Sequence, residues 1–159
     1  MTIITTIRLT LKTKTPNEVR EMLDAMPPEV RKEVAQWWVD RALNAPAPDP
    51  WIHGFTMIRT ADQQPVGFGG FKGPPNDEGL VELAYGVDEE FQNQGYATEM
   101  TEALTKFAKE HPSVTVVIAH TLPSNGPSQR VLAKCGFQNV GEHMDPEDGL
   151  VWRWESPAI

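Results

Sequence analysis

Val81-Glu-Leu-Ala-Tyr-Gly-Val-Asp-Glu-Glu-Phe-Gln-Asn-Gln-Gly-Tyr-Ala-Thr-Glu-Met100 sets the reading of the whole chain. Leu80 to Val87 is largely apolar and predicts a strand. The acidic loop Asp88-Glu89-Glu90 follows, and Gln92-Asn93-Gln94-Gly95-Tyr96-Ala97 leads into a helix over Ala97 to Glu110. In that helix Ala97, Met100, Leu104, Phe107 and Ala108 share one face, charged residues cover the other, and His111-Pro112 ends it. A glycine-led helix start exposes unpaired backbone N–H groups and the positive end of the helix dipole. Residues as small as Gly95 and Ala97 let a phosphate come close to them. The loop is therefore a candidate phosphate cradle. No lysine follows the glycine, which excludes the nucleotide-hydrolase P-loop, and the second-glycine spacing of the dinucleotide fold is missing.

Toward the N-terminus, Ile3 to Lys12 alternates apolar and polar residues with the two-residue period of a half-buried strand. A helix opening at Pro16 carries Val19, Met22, Leu23 and Met26 and stops at Pro27-Pro28. A second helix over Glu29 to Leu43 places Val30, Val34, Trp37, Trp38 and Ala42 in one stripe. The proline-rich stretch Asn44 to Pro50 reads as a stiff connector. Trp51 to Arg59 and Pro65 to Lys72, on either side of a polar turn, predict an antiparallel pair. Toward the C-terminus, Val114 to Ala119 predicts a buried strand and Asn125 to Lys134 a short helix stopped by Gly136. Phe137 to Met144 and Leu150 to Glu155 predict a closing hairpin.

The 159 residues suffice for one core, so residues 1–159 read as a single domain. Fourteen basic side chains against 22 acidic ones give a net charge of −8, which disfavours unselective binding to nucleic acid or to an anionic membrane. A cationic or amine-bearing partner suits this charge better. Cys135 is the single cysteine and no Cys/His cluster has zinc-ligand spacing, so neither an internal disulfide nor a metal is expected. The N-terminus lacks the basic and apolar regions of a signal peptide, and no window is apolar enough to span a bilayer. A cytoplasmic location is the expectation.

Gln92 to Ala97 fits the pattern Gln/Arg-x-x-Gly-x-Gly/Ala. Read with Thr6-Ile7-Arg8-Leu9-Thr10-Leu11, Asn125-Gly-Pro-Ser128 and Cys135-Gly136-Phe137, the chain resembles the GNAT superfamily of acyl-CoA-dependent N-acyltransferases. Within it, these segments look like the branch containing ribosomal-protein N-terminal acetyltransferases. The resemblance is strongest from Val81 to Phe137 and weakest from Met26 to Asp62. It implies an α/β fold with a mixed, mostly antiparallel sheet splayed in the middle and helices on both faces. It also implies acetyl-CoA as cosubstrate, with the pantetheine arm bonded to backbone groups of Leu83, Ala84, Tyr85, Gly86 and Val87. The N–H groups of Gln92, Asn93, Gln94, Gly95, Tyr96, Ala97 and Thr98 would hold the pyrophosphate, and Asn125 and Ser128 would contact the pantetheine and thioester end.

The implied reaction is direct attack of a neutral primary amine, on a protein N-terminus or a small molecule, on the thioester carbonyl. Such a step needs a base, an oxyanion donor and help for the leaving thiolate. Glu82 is the candidate base, directly or through a water, the backbone N–H near Tyr85 the candidate oxyanion donor, and Ser128 the candidate thiol-side contact. Many family members carry a tyrosine acid four residues before the glycine of the Gly-Phe pair; Leu132 stands there in this chain, and Ser128 is the substitute. That departure keeps open an acyl-CoA-binding module without efficient chemistry. Other readings compete at single residues. Cys135 with His120 or His143 could suggest a thiol nucleophile, but a lone cysteine beside Gly-Phe at a helix end is far more often a small core residue. His53 and His120 are either cleft liners or structural, and the aromatic-rich edges suggest a homodimer.

Overall fold

The computed structural model describes residues 1–158. Strands β1 (Ile3–Thr5), β2 (Leu9–Thr13), β3 (Phe55–Arg59), β4 (Gln64–Phe71), β5 (Leu80–Val87), β6 (Val116–Thr121), β7 (Gln138–Asp145) and β8 (Gly149–Pro157) join in the spatial order β1-β2-β3-β4-β5-β6-β8-β7. Between β2 and β3 lie helices α1 (Pro16–Asp24), α2 (Pro28–Arg31) and α3 (Gln36–Asn44). Helix α4 (Tyr96–Lys109) crosses from β5 to β6, the one parallel pair, and α5 (Gly126–Lys134) follows β6. A parallel pair needs such a crossover, whereas β1–β2, β3–β4, β4–β5 and β7–β8 are joined by turns or short loops.

The sheet opens between β5 and β6. Their ladder runs only through Leu80–Glu82 against Val116–Ile118. Past Glu82, β5 stays bonded to β4, with Leu83 facing Phe71 and Val87 facing Gly67, while β6 stays bonded to β8 as far as Thr121. The second half of β5 is therefore laddered on one side only. Across β4 and β5, Phe68 and Gly86, Gly70 and Ala84 are direct partners, so Phe68, Gly70, Glu82, Ala84 and Gly86 share one face of the sheet. Val81, Leu83 and Tyr85 point to the other, where Met100, Leu104 and Ala108 of α4 complete the main core with Leu9, Leu11, Phe55 and Met57. A Cβ on Gly69 would collide with Met100 and Leu104, so glycine is what lets α4 lie this close to β4. A smaller core of Val19, Leu23, Val39, Ala42 and Ile52 unites α1 and α3.

The mixed, mostly antiparallel, splayed sheet agrees with the expectation, while three elements differ from the sequence reading. The strand predicted over Ile3 to Lys12 is a hairpin: Thr6 N–H donates to the Leu9 carbonyl at 2.9 Å and Leu9 N–H to Thr6 Oγ1 at 3.1 Å, leaving Ile7 97% exposed at the tip. Alternation alone does not register a turn that falls on an apolar position. The helix predicted over Glu29 to Leu43 is two helices, parted where Ala35 turns extended. No residue of α2 is buried, so packing does not hold it to α3, and tertiary packing supplies most of a short helix's stability. The strand predicted from Trp51 starts at Phe55, because Ile52 and His53 N–H both bond the Asp49 carbonyl in a tight turn. That turn aims Trp51 at Phe71 and Phe107, with ring centroids 4.8 and 5.4 Å away.

Candidate active site

The loop from Gln92 to Thr98 is braced from outside. Gly95 takes φ +85° as the N-cap of α4, and its missing Cβ would lie 3.2 Å from Arg8 Nη2. The first bond within α4 runs from Glu99 N–H to the Gly95 carbonyl at 3.1 Å, so Tyr96, Ala97 and Thr98 N–H groups have no helical acceptor. Arg8 donates through Nη1 to the Gln94 carbonyl and through Nε to Glu99 Oε1, both at 2.8 Å, and lies over the Tyr96 ring at 4.5 Å. Glu99 Oε2 accepts from Arg8 N–H at 2.8 Å and from the Thr6 hydroxyl. Burial alone would raise the Glu99 carboxyl, but the bonds from Thr6 and Arg8 outweigh it and hold the group below the usual carboxylate range. Gln92 Nε2 ties the loop to the end of β5 through the Val87 carbonyl at 3.0 Å.

This loop borders a cleft of about 640 Å³ on the α4 side of the opened sheet. Of the predicted cofactor contacts, Tyr85, Gly86, Val87, Gln92, Asn93, Gly95, Tyr96, Ala97, Thr98, Asn125 and Ser128 line it. Leu83, Ala84 and Gln94 do not: Leu83 is buried in the main core, Ala84 faces the other side of the sheet, and the Gln94 carbonyl is engaged by Arg8. Asn125 caps α5, its Oδ1 accepting from Ser128 N–H at 3.2 Å. Ser128 Oγ and the Tyr85 hydroxyl lie 2.8 Å apart. Burial raises the Tyr85 phenol above its ordinary value even though the bond to Ser128 opposes this, so the phenol stays protonated at neutral pH. The sequence reading missed this side-chain pairing, and it missed Arg130 and Lys134, which stand one and two helical turns beyond the α5 start and bring positive charge to the cleft. Their i, i+4 spacing after Asn125-Gly-Pro was the available signal.

Glu82 lies on the opposite face, beside a second cleft of about 900 Å³. Its Oε2 is 2.9 Å from Lys72 Nζ and 3.1 Å from His120 Nδ1. His120 in turn stacks on His143, with ring centroids 5.2 Å apart, and its buried Nε2 has no hydrogen-bond partner among the described residues. His53 is structural. Its Nδ1 accepts from Asp49 N–H at 2.8 Å, which leaves Nε2 to donate to the Ala42 carbonyl at 2.9 Å. For Cys135, burial and the Glu102 charge push the thiol up to about 11, and its Sγ rests 3.6 Å from the Thr98 carbonyl. A group so rarely ionised is a poor nucleophile, which leaves Cys135 as a packing residue. Leu132 is fully buried and presents no acid to either cleft. Among the described residues no three His, Cys, Asp or Glu are placed to share a metal ion.

Residues 8–138 match the family model described as the acetyltransferase (GNAT) domain. The chain is 28% identical over 89 residues to an uncharacterized N-acetyltransferase, YjdG, of Bacillus subtilis, a stretch that is 56% of this chain and 51% of that protein; the chain thus spans about half the length of this curated relative. Among solved structures, a GNAT-family acetyltransferase from Bacillus anthracis superposes with a TM-score of 0.72 at 18% identity, covering 99% of both chains. RimL, a ribosomal L7/L12 alpha-N-protein acetyltransferase in complex with coenzyme A, superposes with a TM-score of 0.74 at 14% identity, covering 98% of both. At these identities the superpositions speak for the fold.

Proposed function

The chain belongs to the acetyltransferase (GNAT) domain family, and from that premise we propose that it transfers an acetyl group from acetyl-CoA to a primary amine. One observation carries the reading: β5 leaves β6 just past Glu82, so its half-laddered segment separates the α4-side cleft from the cleft that holds Glu82. A thioester laid along that segment from one side can be met by an amine from the other.

The residues of the α4-side cleft fit coenzyme A. The free N–H groups of Tyr96, Ala97 and Thr98, with Arg130 and Lys134 nearby, suit a diphosphate, and the unladdered edge of β5 offers backbone groups to an amide-bearing arm. Tyr85 and Ser128, joined by their hydroxyls, provide a protonated donor for the departing sulfur. Glu82 takes the proton from the acceptor ammonium. The freed amine adds to the thioester carbonyl, with the backbone N–H near Tyr85 steadying the oxyanion; its collapse breaks the C–S bond, the hydroxyl pair protonates the departing thiolate, and the proton shed by the new amide nitrogen restores the pair through water.

A second reading, an acyl-CoA-binding module, draws on the engagement of Glu82 Oε2 by both Lys72 and His120. Thiol release from acetyl-CoA over a panel of amines and N-terminal peptides separates the two. Acceptor-dependent release supports the enzyme, and saturable CoA binding with no release under any acceptor supports the module. The homodimer and the cytoplasmic setting belong to the same proposal. The exposed Val140, Met144 and Leu150 on the edge hairpin favour the first, and a single unpaired thiol is compatible with a reducing compartment.

A further inference from the structure

The cleft beside Glu82 has two chemically different ends. One is apolar, with Met22, Met26, Val34, Trp37, Trp38 and Phe68 in its lining. Trp38 is a fixed wall, since its Nε1 donates to the Ile52 carbonyl at 2.8 Å. Trp37 and Phe68 remain 58% and 52% exposed, large rings open to water within a concavity. At the other end Glu82, Asp145, Glu147 and Asp148 outnumber Lys72, whereas Asp88 and Lys14 flank Phe68. Lys72 is held by Glu82, while Lys14 sits 5.8 Å from the Phe68 ring centroid and burial lowers its pKa. Among the described residues Asp145, Glu147 and Asp148 have no cationic partner within salt-bridge distance.

We propose that the acceptor is a small, free arylalkylamine: one primary ammonium, seated at Glu82 where the Lys72 ammonium now rests, on a single aromatic body lying between Trp37 and Phe68. The identification rests on the acetyl-transfer reading and deepens it. The 2.9 Å contact between Lys72 Nζ and Glu82 shows that this spot takes a primary ammonium, and the carboxylates of the β7–β8 turn favour positive charge in the cleft mouth. A polyamine or aminosugar would bring its second cation beside the Lys14 ammonium, 5.8 Å from the Phe68 ring centroid, and leave the exposed Trp37 indole uncovered. A volume of about 900 Å³ lies within the range of small-molecule pockets.

The test uses the full chain and acetyl-CoA with 2-phenylethylamine, propylamine, spermidine and a tripeptide led by phenylalanine. Calorimetric titration of 2-phenylethylamine is run in parallel, and Trp37→Ala is compared throughout; its exposed indole makes the fold insensitive to the change. The expected result is a kcat/KM for 2-phenylethylamine at least tenfold above propylamine, spermidine and the peptide, a ratio that Trp37→Ala reduces about tenfold. Release driven equally well or better by propylamine, spermidine or the peptide overturns the acceptor class while leaving acetyl transfer intact. If no amine releases thiol, saturable binding of 2-phenylethylamine that Trp37→Ala weakens keeps the site and removes the transfer reaction. Absence of that binding, with no release either, overturns both.

Discussion

The hydroxyls of Tyr85 and Ser128 stand 2.8 Å apart and join β5 to the first turn of α5 at the place where the sheet has opened. Both Tyr85 and Ser128 line the α4-side cleft, and their hydroxyls form one donor unit there. Tyr85→Phe and Ser128→Ala should each lower kcat by roughly 10- to 100-fold, general acid help being worth up to ~10⁴. The double variant should lose little beyond the worse single one. Steady-state kinetics on the four proteins checks this; fold-losses that multiply would mean independent roles. With the phenol raised above its ordinary value of about 10, the unit stays protonated and should produce no fall in rate between pH 6 and 9.

Glu82→Gln removes the proposed proton acceptor but keeps a side chain of the same size beside Lys72 and His120. We expect kcat to fall at least ~100-fold while CoA affinity by calorimetry stays within about twofold, because the α4-side cleft is built on the other face of β5. A CoA affinity that collapses together with turnover would instead make Glu82 a prop for the sheet opening.

Gly95→Ala places a Cβ at φ +85° and 3.2 Å from Arg8 Nη2. The left-handed conformation costs a non-glycine residue roughly 1–2 kcal/mol, or about 2–6 °C in a chain of this size. Differential scanning calorimetry should record that drop, and CoA binding should weaken more than stability does, since the N–H groups of Tyr96 to Thr98 lose their placement. A variant as stable and as tight for CoA as the parent would show that the loop tolerates another geometry.

Glu99 has its carboxyl depressed in the folded chain by Thr6 and Arg8, despite the opposing effect of burial. A depressed folded value means that the stabilisation is present above the unfolded value of about 4.3 and is lost as pH falls through the folded value. Glu99→Gln should therefore melt below the parent at pH 7, and the gap should close as pH drops under about 4. Arg8 is partly open to solvent, so the gap should also narrow in high salt. Equal melting temperatures at pH 7 would argue that the brace contributes nothing.

Much of the fold was legible wherever period and punctuation agreed. Leu80 to Val87 and the glycine-led helix from Tyr96 matched closely, as did Asn125 capping α5, because each couples a clear apolar period to a turn residue with a physical role. The hairpin at Ile7 and the break before α3 were not legible, since both depend on what the chain packs against. The site divided in the same way. Backbone groups of a helix start can be inferred from small residues in order. The contact between Tyr85 and Ser128 joins residues 43 apart, and that between Glu82 and His120 joins residues 38 apart, so both follow from where β6 lies after it leaves β5.

The side assignment along β5 also tells where novelty can arise. The aryl-lined cleft is assembled largely from the two ends of the chain, α1 to β4 and the β7–β8 turn, whereas its counterpart draws on the middle, Tyr85 to Lys134. Drift in α1 to β4 or in the β7–β8 turn can thus reshape one cleft without touching the other, while drift between Tyr85 and Lys134 removes the cleft proposed for the acyl donor.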